Sequence, residues 1–304
     1  MKEIFTFKGQ NEIEFHKKFG IKEACLQYLA DRKWKNGFLC PSCGSDQEYF
    51  TSEPFHKRCK KCLHHASPMA NTLFHKLKFG IQKAFLIIFK MSATTKSISA
   101  EQLAKTIGVN RKTALAFQHK VRLAMQSSEQ YPMEGEVEVD EAFIGGQEES
   151  EDRGRGAESK TQIVLAVEKT GLFGIKRVYA RVIENGSTSE LMTIFEKHIS
   201  KKAKVLTDKW KCYLPITKLY NVIQEKSKPK ENFQTMHQCI QQLKSWIRGI
   251  HHHVSPEYLQ AYLNEFCYRI NRSIHKESIF DNLLNRMALA PLCQIKHLKM
   301  NYWK

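Results

Sequence analysis

The sequence has 304 residues, of which 48 are lysine or arginine and 31 are aspartate or glutamate, giving a formal net charge of +17. Hydrophobic residues make up 42% of the chain, which excludes an intrinsically disordered protein and is enough for two or three folded modules. A basic excess of this size indicates a polyanionic partner, usually nucleic acid. No stretch reaches the ~18 apolar residues of a membrane span, and the first residues lack a signal-peptide pattern. We therefore expect a cytoplasmic protein with no membrane partner.

The N-terminal part of the chain is predicted to be helical. Apolar residues recur near helical spacing over residues 11–33, with charged residues between them. Gly37, Pro41 and Gly44 follow and mark a short module rich in loops. We therefore expect a separate helical segment over residues 1–35.

Four cysteines in this loop-rich module form two C-x2-C pairs, Cys40 with Cys43 and Cys59 with Cys62. In a cytoplasmic protein such pairs indicate metal binding and not disulfides. Two thiolates from each tight turn close a tetrahedral shell around Zn²⁺, and a four-coordinate site leaves no open position for a substrate. The pattern predicts a structural zinc ribbon over residues 36–75.

The next region predicts a helix-turn-helix domain over residues 76–130. Its motif is SISAEQLAKTIGVNRKTALAFQHKVRLAM, in which Gly108 permits a tight turn and Asn110 caps the second helix. A recognition helix places its N-terminal side chains against base edges in the major groove. We expect DNA contacts from four basic residues of this helix, the first two at bases and the last two at the backbone: Arg111, Lys112, His119 and Lys120. Many plain helical hairpins share this outline, so a purely structural hairpin is the alternative.

After Pro132 the sequence changes to strand composition. The segments EVEVDEAFIG, QIVLAVEKT and IKRVYARVIE are predicted strands, and the polar, glycine-rich residues 145–160 between the first two predict a mobile loop. A helix, a fourth strand in KAKVLTDKW and further helices follow. This order predicts an α/β domain over residues 133–290, with residues 291–304 as a C-terminal tail.

Two aspartates stand where α/β sheets place their sites. In EVEVDEAFIG the two inner valines face one side of the strand, and Glu138 and Asp140 face the other. Asp208 follows an apolar run at the carboxyl end of its strand, where such sheets bind ligands. Carboxylates from neighbouring strand ends can hold two Mg²⁺ ions roughly 3.5–4 Å apart for phosphoryl transfer. Taken singly, each aspartate is more often a solvated or capping residue.

A later helix, predicted over residues 233–249, offers a third ligand. His237 lies on it, and Lys244 follows two turns later on the same face. This spacing allows His237 to bind the metals while Lys244 reaches the substrate backbone. A core or surface histidine is the alternative interpretation. Cys239 lies ~200° around the helix from His237, which argues against a second zinc site there.

Together these segments resemble the zinc-ribbon insertion-sequence transposases with a DDE-type, RNase H-like catalytic domain, a bacterial group related to the Merlin elements. The resemblance covers nearly the whole chain and includes CPSCG…RCKKC, VEVDEAFIGG, LTDKW and, most specific, RGIHHHVSPEYLQAYLNEFCYRINRS. It implies a mixed sheet with flanking helices for the α/β domain. It also implies that Asp140 and Asp208 are the metal-binding aspartates. His237 falls at the third position and Lys244 at that of the accompanying lysine, the DDHK variant of the motif.

The histidine affects the expected cofactors. Imidazole suits Mn²⁺ better than Mg²⁺, so either cation is expected at the catalytic site beside the structural Zn²⁺. Glu265 is a candidate substitute carboxylate, with packing and salt bridging as the alternative. The resemblance further implies that Arg269, Asn271 and Arg272 line the DNA.

The resemblance implies a transposase that binds the terminal inverted repeats of a mobile element, cleaves DNA at its ends and joins the freed 3′-hydroxyls to target DNA. Both steps are in-line displacements at phosphate, so one metal pair serves both. Pairing of two ends implies a homodimer or larger assembly, associated with the nucleoid when it is bound to DNA. Two alternatives remain: a DNA-binding regulator with an inactive transposase-derived domain, favoured by His237, and a structure-specific nuclease that cuts without joining.

Overall fold

A computed structural model describes residues 6–9, 11–93, 96–145, 160–171, 174–228, 231–252, 254–291 and 293. Its contacts separate two units. Unit 1 holds the described residues up to Ala124 together with those from His275 onward, and unit 2 holds Met125–Ile274. The loop predicted over residues 145–160 and the tail predicted over residues 291–304 lie largely outside the described residues.

Unit 1 begins with two short helices where the sequence predicted one. Helix α1 (Glu12–Phe19) begins at Asn11, whose side chain accepts the backbone N–H of Glu14 at 2.9 Å. Helix α2 (Lys22–Lys33) starts after the extended residue Ile21 (φ −115°, ψ 149°). The extended residue interrupts the helix, which hydrophobic periodicity alone did not show.

The zinc-ribbon module contains a small antiparallel sheet in the order β1-β2-β3. Its strands are β1 (Glu48–Phe50), β2 (Lys57–Cys59) and β3 (His65–Ala66). Among the residues whose burial the structure describes, the core cluster of the ribbon has four members, with Trp34 packed against them: Phe38, Cys40, Cys59 and Ala66. A core of this size is too small to stabilise a fold alone, so the module depends on a metal cross-link.

Three helices follow the ribbon over the region in which the sequence predicted them: α3 (Ile81–Ala93), α4 (Ala100–Ile107) and α5 (Arg111–Ala124). The hydroxyl of Ser99 accepts the N–H of Gln102 at 3.2 Å and caps α4. Gly108 ends α4 in the left-handed region (φ 66°), which glycine adopts at no steric cost. Asn110 Oδ1 then accepts the N–H of Lys112 at 2.8 Å and starts α5.

Helix α9 (Ile279–Leu289) belongs to unit 1, whereas the sequence placed it in the α/β domain that was expected to extend to residue 290. Phe280 is buried and contacts five aromatic rings of unit 1: Phe7, Phe15, Phe19, Phe85 and Phe89. The carboxylate of Asp281 accepts hydrogen bonds from Tyr28 and Arg32 of α2. The apolar face of a helix does not specify, from the sequence alone, which of two cores it fills. Helix α9 fills the core of unit 1 that is formed by these aromatic rings, the aromatic core.

Unit 2 is an α/β fold with a five-stranded mixed sheet in the order β6-β5-β4-β7-β8. The strands are β4 (Glu136–Gly145), β5 (Lys160–Thr170), β6 (Gly174–Val182), β7 (Lys204–Thr207) and β8 (Val222–Gln224). The first three pair antiparallel, and β7 and β8 run parallel to β4. The sequence predicted four of these strands and missed β8, which has only three residues and lies at the edge of the sheet.

Helices cover both faces of this sheet. Helix α6 (Thr188–His198) packs on one face with Val137 and Val139 of β4. On the other face lie α7 (Gln234–Trp246), which continues into a π-helical turn, and α8 (Pro256–Asn271). Ala142 and Ile144 of β4 belong to that second core. The alternation along β4 that the sequence predicted therefore separates two hydrophobic cores.

Two side chains of helix α8 also form hydrogen bonds with backbone groups of the edge strand β6. The side-chain amide of Asn271 accepts the N–H of Val178 at 2.7 Å and donates to its carbonyl at 2.9 Å. Gln260 makes the matching pair of bonds, with Val182 at 2.9 Å and Ala180 at 3.1 Å. Unpaired strand edges are prone to pair with other chains, and these amides occupy part of this one. Within the described residues, no helix combines the length and apolar character needed to cross a membrane.

The assignment of α9 to unit 1 can be tested by mutation. Phe280→Ala should destabilise unit 1 by about 3–5 kcal/mol, because it removes a buried ring from the aromatic core. The measurement is hydrogen exchange of the α2 and α3 amides, by mass spectrometry, across a urea series. Leu289→Ala is the matched control on the same helix, since Leu289 is 60% exposed. Equal effects of the two substitutions would contradict the assignment.

Candidate active site and zinc centre

The four predicted zinc ligands converge. The sulfur atoms of Cys40 and Cys62 lie 3.5 Å apart, and those of Cys43 and Cys59 lie 3.6 Å apart. All four sulfurs lie within 4.8 Å of one another. Tetrahedral Zn²⁺ with Zn–S bonds of ~2.3 Å separates its sulfur ligands by about 3.8 Å, so the cluster fits this ion.

Backbone hydrogen bonds shape the two turns that carry these thiols. The N–H of Gly44 donates to the carbonyl of Cys40 at 2.9 Å, and the N–H of Leu63 donates to that of Cys59 at 3.1 Å. Backbone N–H groups, first that of Cys62, lower the pKa of the Cys59 thiol to about 6. A lowered pKa favours the thiolate, which is the form that binds metal.

The predicted DNA-contacting residues of α5 divide into two pairs. Arg111 and Lys112 are exposed at its N-terminal end, and Arg111 lies 3.7 Å from a carboxylate oxygen of Glu101. His119 and Lys120 are only 4% and 8% exposed. The Lys120 ammonium donates to the carbonyl of Leu73 at 3.1 Å. The burial of both side chains within unit 1 argues against the expectation that His119 and Lys120 contact DNA.

The two candidate aspartates lie on neighbouring strands, Asp140 in the middle of β4 and Asp208 directly after the end of β7. Strands β4 and β7 pair in parallel as far as Val139 opposite Thr207. Asp140 and Asp208 are the next residues on the two strands. Parallel strands lie about 4.8 Å apart and register partners point to the same face, so both carboxylates lie on the face covered by α7 and α8. The sequence predicted each aspartate separately, and the strand pairing brings them together.

The environment of Asp140 opposes its ionisation. Burial, and next the charge of Asp208, raise its pKa to about 6, although the N–H of Glu141 donates to its carboxylate at 2.8 Å and partly offsets this. The charge of His237 acts in the opposite direction and lowers the pKa. A buried carboxylate whose ionisation costs free energy is typical of a functional site, since a bound cation would favour its ionised form.

His237 and Lys244 lie on α7, as the sequence predicted. His237 is partly buried in the first turn, and Lys244 is exposed two turns later. Cys239 is fully buried in the core of unit 2, which agrees with its exclusion as a zinc ligand. Of the residues that the structure describes, only the cysteine cluster brings three or more such ligands within 4.8 Å. Asp140, Asp208 and His237 are spread more widely, as ligands shared between two cations can be.

The loop that carries Asp208 is held by a residue that the sequence analysis missed. The Gln224 side-chain amide donates to the carbonyls of Asp208 and Trp210, at 3.1 and 3.0 Å. The N–H of Trp210 donates to the Asp208 carboxylate at 2.9 Å. Gln224 ends β8, directly opposite Thr207. Because β8 was not predicted, no pattern in the sequence pointed to this glutamine.

A second hydrogen bond joins the same loop to β4, on the face of the sheet that α6 covers. Tyr213, fully buried in the short 3-10 turn after Asp208, donates its hydroxyl to the carboxylate of Glu141. Burial, and next the charge of Glu141, raise the Tyr213 pKa well above its usual range, which keeps the hydroxyl protonated as a donor. Glu141 directly follows Asp140, so this bond connects the two aspartate-bearing segments.

Three residues expected to line DNA, and the substitute carboxylate, have structural partners. Glu265 is fully buried and accepts a hydrogen bond from Arg269 at 3.0 Å. The Arg269 side chain is 13% exposed. The guanidinium of Arg272 lies 4.0 Å from the ring centroid of Tyr268, and Asn271 binds the backbone of β6. These contacts favour packing and salt bridging as the role of Glu265. They also show that Arg269, Asn271 and Arg272 each contact other parts of the protein.

Comparison with known proteins agrees with this architecture. Residues 22–65 match the transposase zinc-ribbon domain, and residues 132–271 match the ISXO2-like transposase domain. An uncharacterized protein in transposable element ISH50 of Halobacterium salinarum is 24% identical over 213 residues, which are 66% of this chain and 71% of that protein. The two domains together cover more than half of the chain and define a transposase with a structural zinc site. The chain belongs to the insertion-sequence transposases that combine a zinc ribbon with an ISXO2-like domain.

The raised pKa of Asp140 predicts a pH-dependent cost in stability. The folded protein binds this proton more tightly than the unfolded chain, so the ionised carboxylate destabilises the metal-free fold above pH 6, and the cost vanishes below the ordinary value of 3.8. Asp140→Asn should therefore stabilise the metal-free protein by on the order of 2 kcal/mol at about pH 8. Urea unfolding of the zinc-loaded protein, without added Mg²⁺ or Mn²⁺, should show this gain shrinking towards about pH 5. A gain that is independent of pH would contradict the assignment.

Proposed function

We propose that this chain is an active transposase that cleaves DNA at the ends of its element and joins the 3′-hydroxyls to target DNA. The observation that carries the proposal is the parallel pairing of β4 with β7, which brings Asp140, in the middle of β4, close to Asp208, directly after the end of β7. His237 affects the pKa of Asp140 from α7, so the three groups form one electrostatic site. Carboxylate oxygens and an imidazole are a suitable donor set for Mg²⁺ or Mn²⁺.

The sheet supports an RNase H-like assignment for unit 2. Three antiparallel strands come first, and two parallel strands then extend the sheet on the far side of β4. This leaves β4 in the centre of the sheet, between β5 and β7. We propose residues 133–274 as the catalytic domain, with α9 returning to the N-terminal unit.

The proposed reaction uses each part of the site differently. Asp140, Asp208 and His237 would hold two divalent cations, which activate the attacking hydroxyl and stabilise the leaving oxygen at phosphate. Gln224 binds the Asp208 loop to β8, and Tyr213 binds it to β4, so the loop is fixed before DNA binds. Lys244 is exposed on the same face of α7 and is placed to bind a backbone phosphate.

The DNA-binding surface is proposed for unit 1. The turn at Gly108 and the cap at Asn110 have the geometry of a helix-turn-helix, and α5 begins with two exposed basic residues, Arg111 and Lys112. With the zinc ribbon, this segment would bind the terminal inverted repeats. Pairing of two repeats requires at least two copies of the chain, so we propose that a homodimer or larger assembly is the active form.

The alternative is a DNA-binding regulator whose catalytic domain is inactive. His237 favours it, because a neutral ligand leaves the site one negative charge short of three carboxylates. Short inverted repeats bracketing the gene, with small direct duplications outside them, would favour an active element.

Catalysis can be tested with purified protein, end-sequence DNA, a plasmid target, and Mg²⁺ or Mn²⁺. Asp140→Ala and Asp208→Ala should each reduce cleavage and joining about 10³-fold or more, because metal ligation supplies several kcal/mol to the transition state. Glu196→Ala is the control, an exposed carboxylate on α6. His237→Glu should retain activity and shift the preference from Mn²⁺ towards Mg²⁺. Unchanged products from the Asp140 variant would refute the site, and cleavage without joining would indicate a nuclease.

DNA recognition can be tested separately by fluorescence anisotropy with inverted-repeat duplexes over a salt series. Arg111→Ala and Lys112→Ala should each weaken binding, and each lost phosphate contact should lower the slope of log affinity against log salt by about 1. A residue at a base edge should instead reduce the preference for the repeat over random DNA. Lys22→Ala, which alters an exposed lysine at the start of α2, should keep both the affinity and the slope. Equal losses of DNA affinity in all three variants would contradict a localised site on α5 and indicate that DNA binds a diffuse basic surface.

A further inference from the structure

Helix α7, which carries His237, begins without a local cap. Its N-cap residue is Phe233, which lies in the left-handed region (φ 55°) and offers no side-chain hydrogen bond. The first N–H groups of a helix need acceptors, most often the side chain of the N-cap residue. Here the N–H of Met236 donates to Oε2 of Glu138 at 2.9 Å. The cap therefore comes from strand β4, about a hundred residues earlier in the chain.

Glu138 is placed to couple this helix to Asp140. It lies two residues before Asp140 on the same face of β4, and it is 3% exposed. Its other carboxylate oxygen lies 3.3 Å from the ammonium of Lys169. A carboxylate is removed from water at a cost unless it is paired, and Glu138 is paired on both oxygens. A negative charge at a helix N-terminus is also favourable because of the helix dipole.

We propose that Glu138 is a positioning residue, which fixes His237 relative to Asp140 by binding the first turn of α7 to the strand that carries the aspartate. The inference rests on the proposed metal site. His237 directly follows Met236, so the bond to Glu138 restrains the backbone one residue away from the imidazole. Without that bond, the N-terminal turn of α7 has no acceptor for this N–H and is free to fray. The histidine would then lose its fixed distance from the aspartates.

The test measures Mn²⁺ binding to the full-length, zinc-loaded protein by isothermal titration calorimetry without DNA. Glu138→Ala should weaken binding about 10- to 100-fold, the usual effect of removing a group that orients a ligand. Glu138→Gln should restore affinity to within a few-fold of wild type, because its amide oxygen can still accept the N–H of Met236. Rescue by glutamine separates positioning from a direct contribution of the negative charge.

Glu168→Ala is the matched control for loss of a buried carboxylate. Glu168 is 1% exposed and accepts the N–H of Gly135 at 3.0 Å, on the α6 face of the sheet. It should lower the free energy of unfolding as Glu138→Ala does, but leave Mn²⁺ affinity unchanged. Suppose that Glu138→Ala binds Mn²⁺ like the wild type while Asp140→Ala and His237→Ala bind it weakly. The positioning role of Glu138 would then be refuted, and the proposed metal site would be supported. If Asp140→Ala also binds like the wild type, the metal site and the positioning both fail.

Discussion

The parallel pairing of β4 with β7 is the constraint on which the proposed active site depends. Only four residue pairs form between these strands, and they end at Val139 and Thr207. A shift of the register by one residue would turn one aspartate to the α6 face and separate the two carboxylates. Gln224 from the adjacent strand and Tyr213 from the following turn reinforce this arrangement through hydrogen bonds to and from the Asp208 loop. The proposed site thus combines a central strand, which carries Asp140, with a loop that hydrogen bonds hold in place, which carries Asp208.

The same pairing concentrates negative charge in a buried place. Asp140, Asp208 and Glu138 share one face of the sheet, and burial raises the pKa of Asp140 to about 6. The protein offsets part of this cost through Lys169 and the first turn of α7, which take up the charge of Glu138. Asp140 has no such cationic pair within hydrogen-bonding distance among the described contacts. Its remaining cost is one that a divalent cation would remove, which links stability to the proposed chemistry.

Unit 1 shows how a distant segment alters the interpretation of a local motif. The helix-turn-helix outline was correct in its turn and caps, because Gly108 and Asn110 act through bonds to near neighbours in the sequence. The expectation for His119 and Lys120 did not account for their burial, which includes a hydrogen bond from Lys120 to the carbonyl of Leu73, 47 residues earlier in the chain. Helical periodicity identifies an apolar face but not its partner. The exposed basic surface is therefore smaller than the sequence suggested and is centred on Arg111 and Lys112.

The sequence by itself determined the four-cysteine cluster and the order of the main strands, and it singled out both candidate aspartates, because spacing and alternation act over a few residues. The tertiary structure alone decided which of these residues meet. Strand pairing brings Asp140 close to Asp208, and the short strand β8 supplies Gln224. The carboxylate of Glu138 accepts a hydrogen bond from the first turn of α7. The tertiary structure also assigned α9 to unit 1. Each of these depends on contacts between segments far apart in the chain, where no local pattern specifies the partner.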